Sequence, residues 1–321
     1  MSDHASVAGE NPPYDSPALR THALGIDFQN PVILAAGTAA YGRELADVMV
    51  LDRLGGLVTK AVSVEPRAGA PSPRVAEFDG GMINAVGLAN PGVDSVKATD
   101  LPWLSARLTH ARVIVNVVGR VIEDFGDVVA RLDDAAGFQA YELNVSCPNT
   151  RAGGLEFGAD AASLTALIAR ARTATRRPLF VKLSPTLPDI AFTARCAVDA
   201  GADGISVVNT FPGLVIDLET RRPKLGFGSG GVSGPGLRPI GVLATWKVRK
   251  AVTVPIIGVG GVSSAEHALQ YVLAGASLVA VGTAALADPR APERIVRELA
   301  AWCAMNGVQR LADLSGTLEW V

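Results

Sequence analysis

Ala200-Gly201-Ala202-Asp203-Gly204-Ile205-Ser206-Val207-Val208-Asn209-Thr210 decides the fold: a helix ends at glycine, an apolar run follows, and the run closes on polar residues. The segment Ala274-Gly275-Ala276-Ser277-Leu278-Val279-Ala280-Val281-Gly282-Thr283 repeats the device. Glycine just past a helix's last turn adopts the left-handed conformation that closes it. A short run of Val, Ile and Leu without polar alternation suits a strand covered on its outside by helices. Working outward, similar runs occupy residues 32–38, 56–63, 113–119, 140–147, 179–185, 204–210, 255–261 and 278–284, with helix-like stretches between most of them. Eight strand–helix units predict an α/β fold of the (β/α)8 TIM-barrel type rather than an open doubly wound sheet.

The chain of 321 residues, 49% hydrophobic and 19% charged, has the composition of a globular protein. A barrel of this length commonly forms one unit, so residues 21–321 are expected as a single domain behind a loose, proline-dotted arm, residues 1–20. The formal net charge of −2 offers no broad basic surface for nucleic acid or an anionic membrane. Three scattered cysteines, 147, 196 and 303, can neither form a disulfide framework nor supply the four thiolates of an ordinary iron–sulfur cluster, and they fit a reducing cytoplasm. Residues 268–287 carry no charge and are long enough to span a bilayer, but Gln270 and the breaks at Gly275 and Gly282 divide them into a helix end, a turn and a buried strand.

The long gaps after strands two, four and six, residues 64–112, 148–178 and 211–254, are expected to cover a site at the barrel's C-terminal face. Polar residues end the apolar runs in order: Gly37-Thr38, Thr59-Lys60, Asn116, Asn144, Lys182 and Asn209-Thr210. Any one of them could be a polar residue satisfied by nearby backbone; six successive strand ends point to one mouth. Strands seven and eight end instead in Gly260-Gly261 and Gly282-Thr283, where barrels often hold a phosphate, and Ser263 with Glu266 reads as a capping box opening the next helix there. The GxGxxG spacing at Gly226–Gly231 lies outside any βαβ unit, so it reads as a flexible loop or lid hinge, with Ser233-Gly234-Pro235 starting the next helix. Cys147 is placed to face the mouth, whereas Cys196 and Cys303 read as small packing residues. The histidines at 4, 22, 110 and 267 match no strand end, which leaves acid–base work to the thiol or a lysine and gives no metal site.

Asn144-Val145-Ser146-Cys147-Pro148-Asn149, Thr59-Lys60-Ala61-Val62, Glu65-Pro66-Arg67, Asn84 through Gly92, Val181 through Pro185 and Val208-Asn209-Thr210 together resemble the class 1 dihydroorotate dehydrogenases over nearly the whole chain after residue 20. The stretch from Leu57 to Pro91 is similar to the type B, NAD-linked subgroup. The resemblance implies an FMN-dependent oxidation of dihydroorotate to orotate in pyrimidine (UMP) biosynthesis. It also implies a partner subunit carrying FAD and a [2Fe-2S] cluster, around a homodimeric core of a heterotetramer. It casts Cys147 as the base with Lys60 and Lys182 as catalytic lysines. Substrate ligands would be Lys60, Asn84, Val86, Gly87, Leu88, Asn144, Asn149, Asn209 and Thr210. Flavin neighbours would be Ala36, Gly37, Lys60, Asn116, Asn144, Lys182 and Val208, with Gly234, Gly260, Gly261, Gly282 and Thr283 at the phosphate end. In the mechanism so implied, Cys147 removes the C5 proton while the C6 hydride leaves for the flavin, and Lys182 stabilises the reduced anion.

Other readings stay open on the residues alone. A Schiff-base lyase or aldolase would use Lys60 or Lys182 as nucleophile. A non-catalytic barrel would only bind a phosphorylated ligand, and another FMN enzyme would act on a different pyrimidine ring.

Overall fold

The computed structural model describes residues 14–146 and 156–320. Its centre is a closed parallel barrel of eight strands in chain order: β1 (Val32–Leu34), β2 (Gly56–Val58), β3 (Arg112–Val117), β4 (Ala140–Asn144), β5 (Leu179–Leu183), β6 (Gly204–Val207), β7 (Ile256–Val259) and β8 (Leu278–Val281). All eight expected runs are these strands, and β8 returns to pair with β1. Both faces of each strand are buried, which explains the missing polar alternation. One face lines the interior with Ile33, Ala35, Val58, Ile114, Ala140, Phe180, Ile257, Val259, Leu278 and Ala280. The other face, with Leu57, Val115, Tyr141, Val181, Ile205 and Val279 among its residues, packs against the helices in the larger core. A hairpin, Thr21–Ala23 with Ile26–Phe28, adds Ala23 and Phe28 to the interior cluster just before β1 begins.

The ladders stop short of the runs read from sequence. Beyond Val207, for example, pairing continues only through single bonds, Val208 N to Val259 O at 3.1 Å and Asn209 N to Leu183 O at 2.9 Å. Thr59, Lys60, Asn209 and Thr210 have left the strands to start the loops, whereas Asn116, Asn144 and Lys182 remain in them.

The first and third insertions merge. Val75–Phe78, Gly81–Asn84, Gly230–Ser233 and Phe211–Gly213 form one antiparallel sheet, with Gly230–Ser233 between Phe211–Gly213 and Gly81–Asn84. The stretch expected to be a flexible loop or hinge therefore ends in a strand, because its glycines fit where Thr210 and Asn84 press close: a Cβ on Gly231 would sit on the Thr210 hydroxyl, and one on Gly230 would lie 2.5 Å from Asn84 O. Pro235–Leu237 then makes one turn of 3-10 helix before the helix Arg238–Ala251. The uncharged segment divides as expected, into the end of helix Ala265–Ala274, left-handed Gly275 and strand β8, and among the described residues no helix is long and apolar enough to cross a membrane.

Part of the presumed arm is packed. Pro17–Leu19 forms a turn of 3-10 helix, Leu19 is completely buried, and the Arg53 guanidinium lies 4.5 Å from the Tyr14 ring centroid.

Asn30, completely buried, joins the starts of β1 and β2. Its Oδ1 accepts from Val32 N at 3.2 Å and Gly55 N at 2.9 Å, and its Nδ2 donates to Arg53 O at 2.9 Å. Replacing it strands a buried carbonyl and leaves space behind. Asn30→Ala is expected to cost about 2–3 kcal/mol, read as a lower urea midpoint with an unchanged slope.

Candidate active site at the barrel mouth

Parallel strands hold inward-facing residues two apart, so polar residues two or four places beyond the interior apolar layer share its face. Lys60 follows Val58, Asn116 follows Ile114, Glu142 and Asn144 follow Ala140, and Lys182 follows Phe180 in this parity. The register sets Asn116 beside Glu142, Asn144 beside Lys182, and Lys182 beside Ser206. Asn116, Glu142, Lys182 and Ser206 are all buried, with at most 6% of any residue exposed. Asn116 Nδ2 donates to Glu142 Oε1 at 2.7 Å. Glu142 was missed at the sequence level, although a glutamate inside the apolar run Ala140–Val145 was a signal that could have found it.

Around the rim, Asn209 Nδ2 donates to Asn144 Oδ1 at 3.3 Å, and Thr210 N donates to Asn209 Oδ1 at 2.8 Å. Asn84 Nδ2 donates to Gly231 O at 3.2 Å, so the added sheet brings Asn84 to the same side as Thr210. Val86, Gly87 and Leu88 belong to a loop set by Asn90, whose Oδ1 accepts from Gly92 N at 2.9 Å and whose Nδ2 donates to Ser63 Oγ and Leu88 O, both at 2.8 Å. Gly87 is left-handed at φ +70°, and a Cβ there would lie 2.3 Å from Ala70 N. Leu88 takes φ +57° despite its side chain, a backbone strain of the kind that collects at binding sites. On the opposite side, Lys60 N donates to Ala40 O at 2.7 Å. Ala36 packs on the interior cluster, and Gly37, at φ +80°, has open space where a Cβ would point.

The glycine side is compact. Gly234, Gly260 and Gly261 have φ of +111°, +129° and +65°; a Cβ on Gly261 would lie 2.8 Å from Gly234 O, and one on Gly234 would lie 2.8 Å from Gly81 Cα. Gly282 faces open contact only, and Thr283 Oγ1 donates to Ser233 Oγ at 2.7 Å. The expected capping box is corrected by one residue: Ser264, not Ser263, caps the helix, its Oγ accepting from His267 N. Ser263 Oγ instead lies 3.1 Å from His267 Nδ1. Burial, and then the neighbouring Arg238 charge, hold His267 below the usual imidazole range. Arg238 and His267 were not foreseen here, because neither ends a strand; both lie in the first turns of helices that start behind the glycines.

Cys147 and Asn149 lie outside the described residues. Among those described, no three His, Cys, Asp or Glu side chains are grouped to hold a metal.

The fold and site define a (β/α)8 barrel with a polar, glycine-edged ligand mouth at the C-terminal ends of its strands. The family model for dihydroorotate dehydrogenase matches residues 18–302, and the chain belongs to that family. It is 43% identical over 303 residues to the "Dihydroorotate dehydrogenase B (NAD(+)), catalytic subunit" of Pelobacter propionicus, covering 94% of this chain and 99% of that protein. A protein of the same name from Geobacter sp. is 42% identical with the same coverage. The "Putative dihydroorotate dehydrogenase A (fumarate)" of Solibacter usitatus is 46% identical over 95% of this chain and 100% of its own length.

Glu156, where the description resumes beyond those residues, accepts from Ser184 Oγ at 3.4 Å. Burial raises its carboxyl above the usual range, with the Ser184 bond pulling the other way. A folded value above the unfolded one penalises the ionised form; the penalty is absent below the ordinary 4.5 and complete above the folded value. Glu156→Gln is therefore expected to raise the melting temperature at pH 7 and to leave it unchanged at acid pH, measured by thermal unfolding across pH.

Proposed function

We propose that this chain is the catalytic subunit of a cytoplasmic class 1 dihydroorotate dehydrogenase, oxidising (S)-dihydroorotate to orotate with FMN in pyrimidine (UMP) biosynthesis. The observation that carries the reading is the inward-facing set of Lys60, Asn116, Asn144 and Lys182 at the strand ends, with Asn144 registered beside Lys182, together with the positive-φ glycines Gly234, Gly260 and Gly261, in a chain of this family.

The residues fit FMN. Positive-φ glycines leave backbone amides unshielded by side chains for a phosphate, and Gly282 and Thr283 border the same place. A Cβ on Gly37 would meet no atom within 4 Å, which leaves room there for a ligand, and Val208 lies buried at the base of the loop after β6. Among the described residues no hydrogen bond or ion pair reaches the Lys182 ammonium, which leaves it free to face negative charge. Bound there, FMN would supply a two-electron acceptor for the hydride from substrate C6.

The chain's own residues do the rest. Asn84, Asn144, Asn149, Asn209 and Thr210, with the backbone of Val86, Gly87 and Leu88, suit the carboxylate and cyclic amide of the substrate, and Lys60 adds a positive charge at the rim. Cys147 Sγ takes the C5 proton. An ordinary thiol ionises near pH ~8.5, so turnover is expected to rise with pH through that range. Cys147→Ser is expected to lower turnover at neutral pH by roughly 100-fold or more while FMN stays bound; unchanged turnover and pH profile would contradict the base assignment.

Electrons are passed to NAD through a partner subunit carrying FAD and [2Fe-2S], bound to a homodimer of this chain in a heterotetramer. The reading is supported by relatives named as NAD-linked catalytic subunits. Fumarate is a second acceptor reading, favoured by the 46% identical Solibacter relative. The test is anaerobic: dihydroorotate is expected to bleach the flavin absorbance of the purified protein. NAD is expected to restore the colour only when the partner subunit is present. Restoration by fumarate without it would assign the other subgroup, and no bleaching would reject the substrate.

A further inference from the structure

Glu142 has no part in the reading above, yet it is a carboxylate inside the barrel with 1% of its surface exposed. Among the described residues its one hydrogen bond is the 2.7 Å bond from Asn116, a neutral donor. A buried carboxylate is costly unless a charge compensates it. Lys182, 6% exposed, is on the adjacent strand two residues above Phe180, the residue registered with Glu142. Both side chains take the inward parity, so a carboxylate and an ammonium that make no ion pair closer than 4.0 Å among the described residues face the interior from adjacent strands, Lys182 one inward-facing step above Glu142. Among the described residues the strands around them offer no other buried charge. β6 contributes the neutral Ser206, whose hydroxyl is buried without a partner. β3 contributes Asn116, and β7, β8 and β1 contribute Ile257, Val259, Leu278, Ala280, Ile33 and Ala35. Among the described residues, the remaining charged groups facing this end are Lys60 beyond β2 and Glu156, which is engaged with Ser184.

We propose that Glu142 is the buried counter-charge of Lys182, a positioning residue held in place by Asn116, which sets how much positive charge the ammonium presents to the ring in the mouth. Its action on that ring rests on the flavin reading; its pairing with Lys182 does not. Either partner alone leaves an uncompensated charge in an apolar interior, whereas removing both leaves none.

The test is a double-variant cycle on the full chain, in its flavin-free form, with Glu142→Gln, Lys182→Met and the two combined. Each single variant is expected to lower the melting temperature by roughly 5–10 °C, and the double variant to lose clearly less than the sum. Single variants that do not fold beside a double variant that does give the same answer. Additive losses, or a double variant that does not fold, overturn the pairing. In the flavin-loaded protein, removing the negative charge at Glu142→Gln is expected to move the FMN midpoint potential to a more positive value, and Glu142→Asp is expected to return it towards the original. An unmoved potential overturns the role in setting charge at the ring. Protein that takes up no FMN contradicts the flavin reading instead, while the cycle still decides the pairing.

Discussion

Strand register across a closed barrel is the constraint on which everything else depends. Eight short parallel strands share their hydrogen bonds in a ring, so each interior residue is fixed in height relative to its neighbours on two sides. The lower interior is filled by Ile33, Ile114, Phe180, Ile257 and Leu278. That packing lets a polar layer exist above it: Asn116, Glu142, Lys182 and Ser206 are held on rigid strands, not on loops, and with little freedom to move. The next residues along, Lys60, Asn144 and Asn209, lie where the strands give way to loops.

The two insertions add what the barrel lacks. By pairing Gly230–Ser233 with Gly81–Asn84, the fold joins chain segments about 150 residues apart, since Asn84 registers with Gly231. One side of that sheet brings Asn84 to the same side of the mouth as Thr210. Its other end leads through Gly234 into the cradle behind Gly261, where Ser233 meets Thr283. A single added sheet thus couples the two ends of one elongated site.

Much of this was legible in the residues. The barrel was readable because strands buried on both faces leave apolar runs that nothing else explains, and glycines at the ends of helices, Gly201 and Gly275, mark the returns to β6 and β8. The mouth was readable because polar residues interrupt those runs at their downstream ends. Glu142 was hidden by the same logic, as a polar residue inside a run rather than at its end. Arg238, His267 and Ser233 were hidden because they reach the cradle through tertiary packing across segments far apart in sequence. The strand Gly230–Ser233 was hidden because its glycines erase any β pattern, and only the neighbouring Thr210 and Asn84 explain why they are glycines.

The most direct measurement is a crystal structure of the protein as purified, with its own ligand retained. The expected result is density for a planar three-ring system above Gly37 and Lys182, with a phosphate seated against the amides of Gly260, Gly261, Gly282 and Thr283. A phosphate or ring bound elsewhere, or a mouth holding only solvent after incubation with excess FMN, would contradict it.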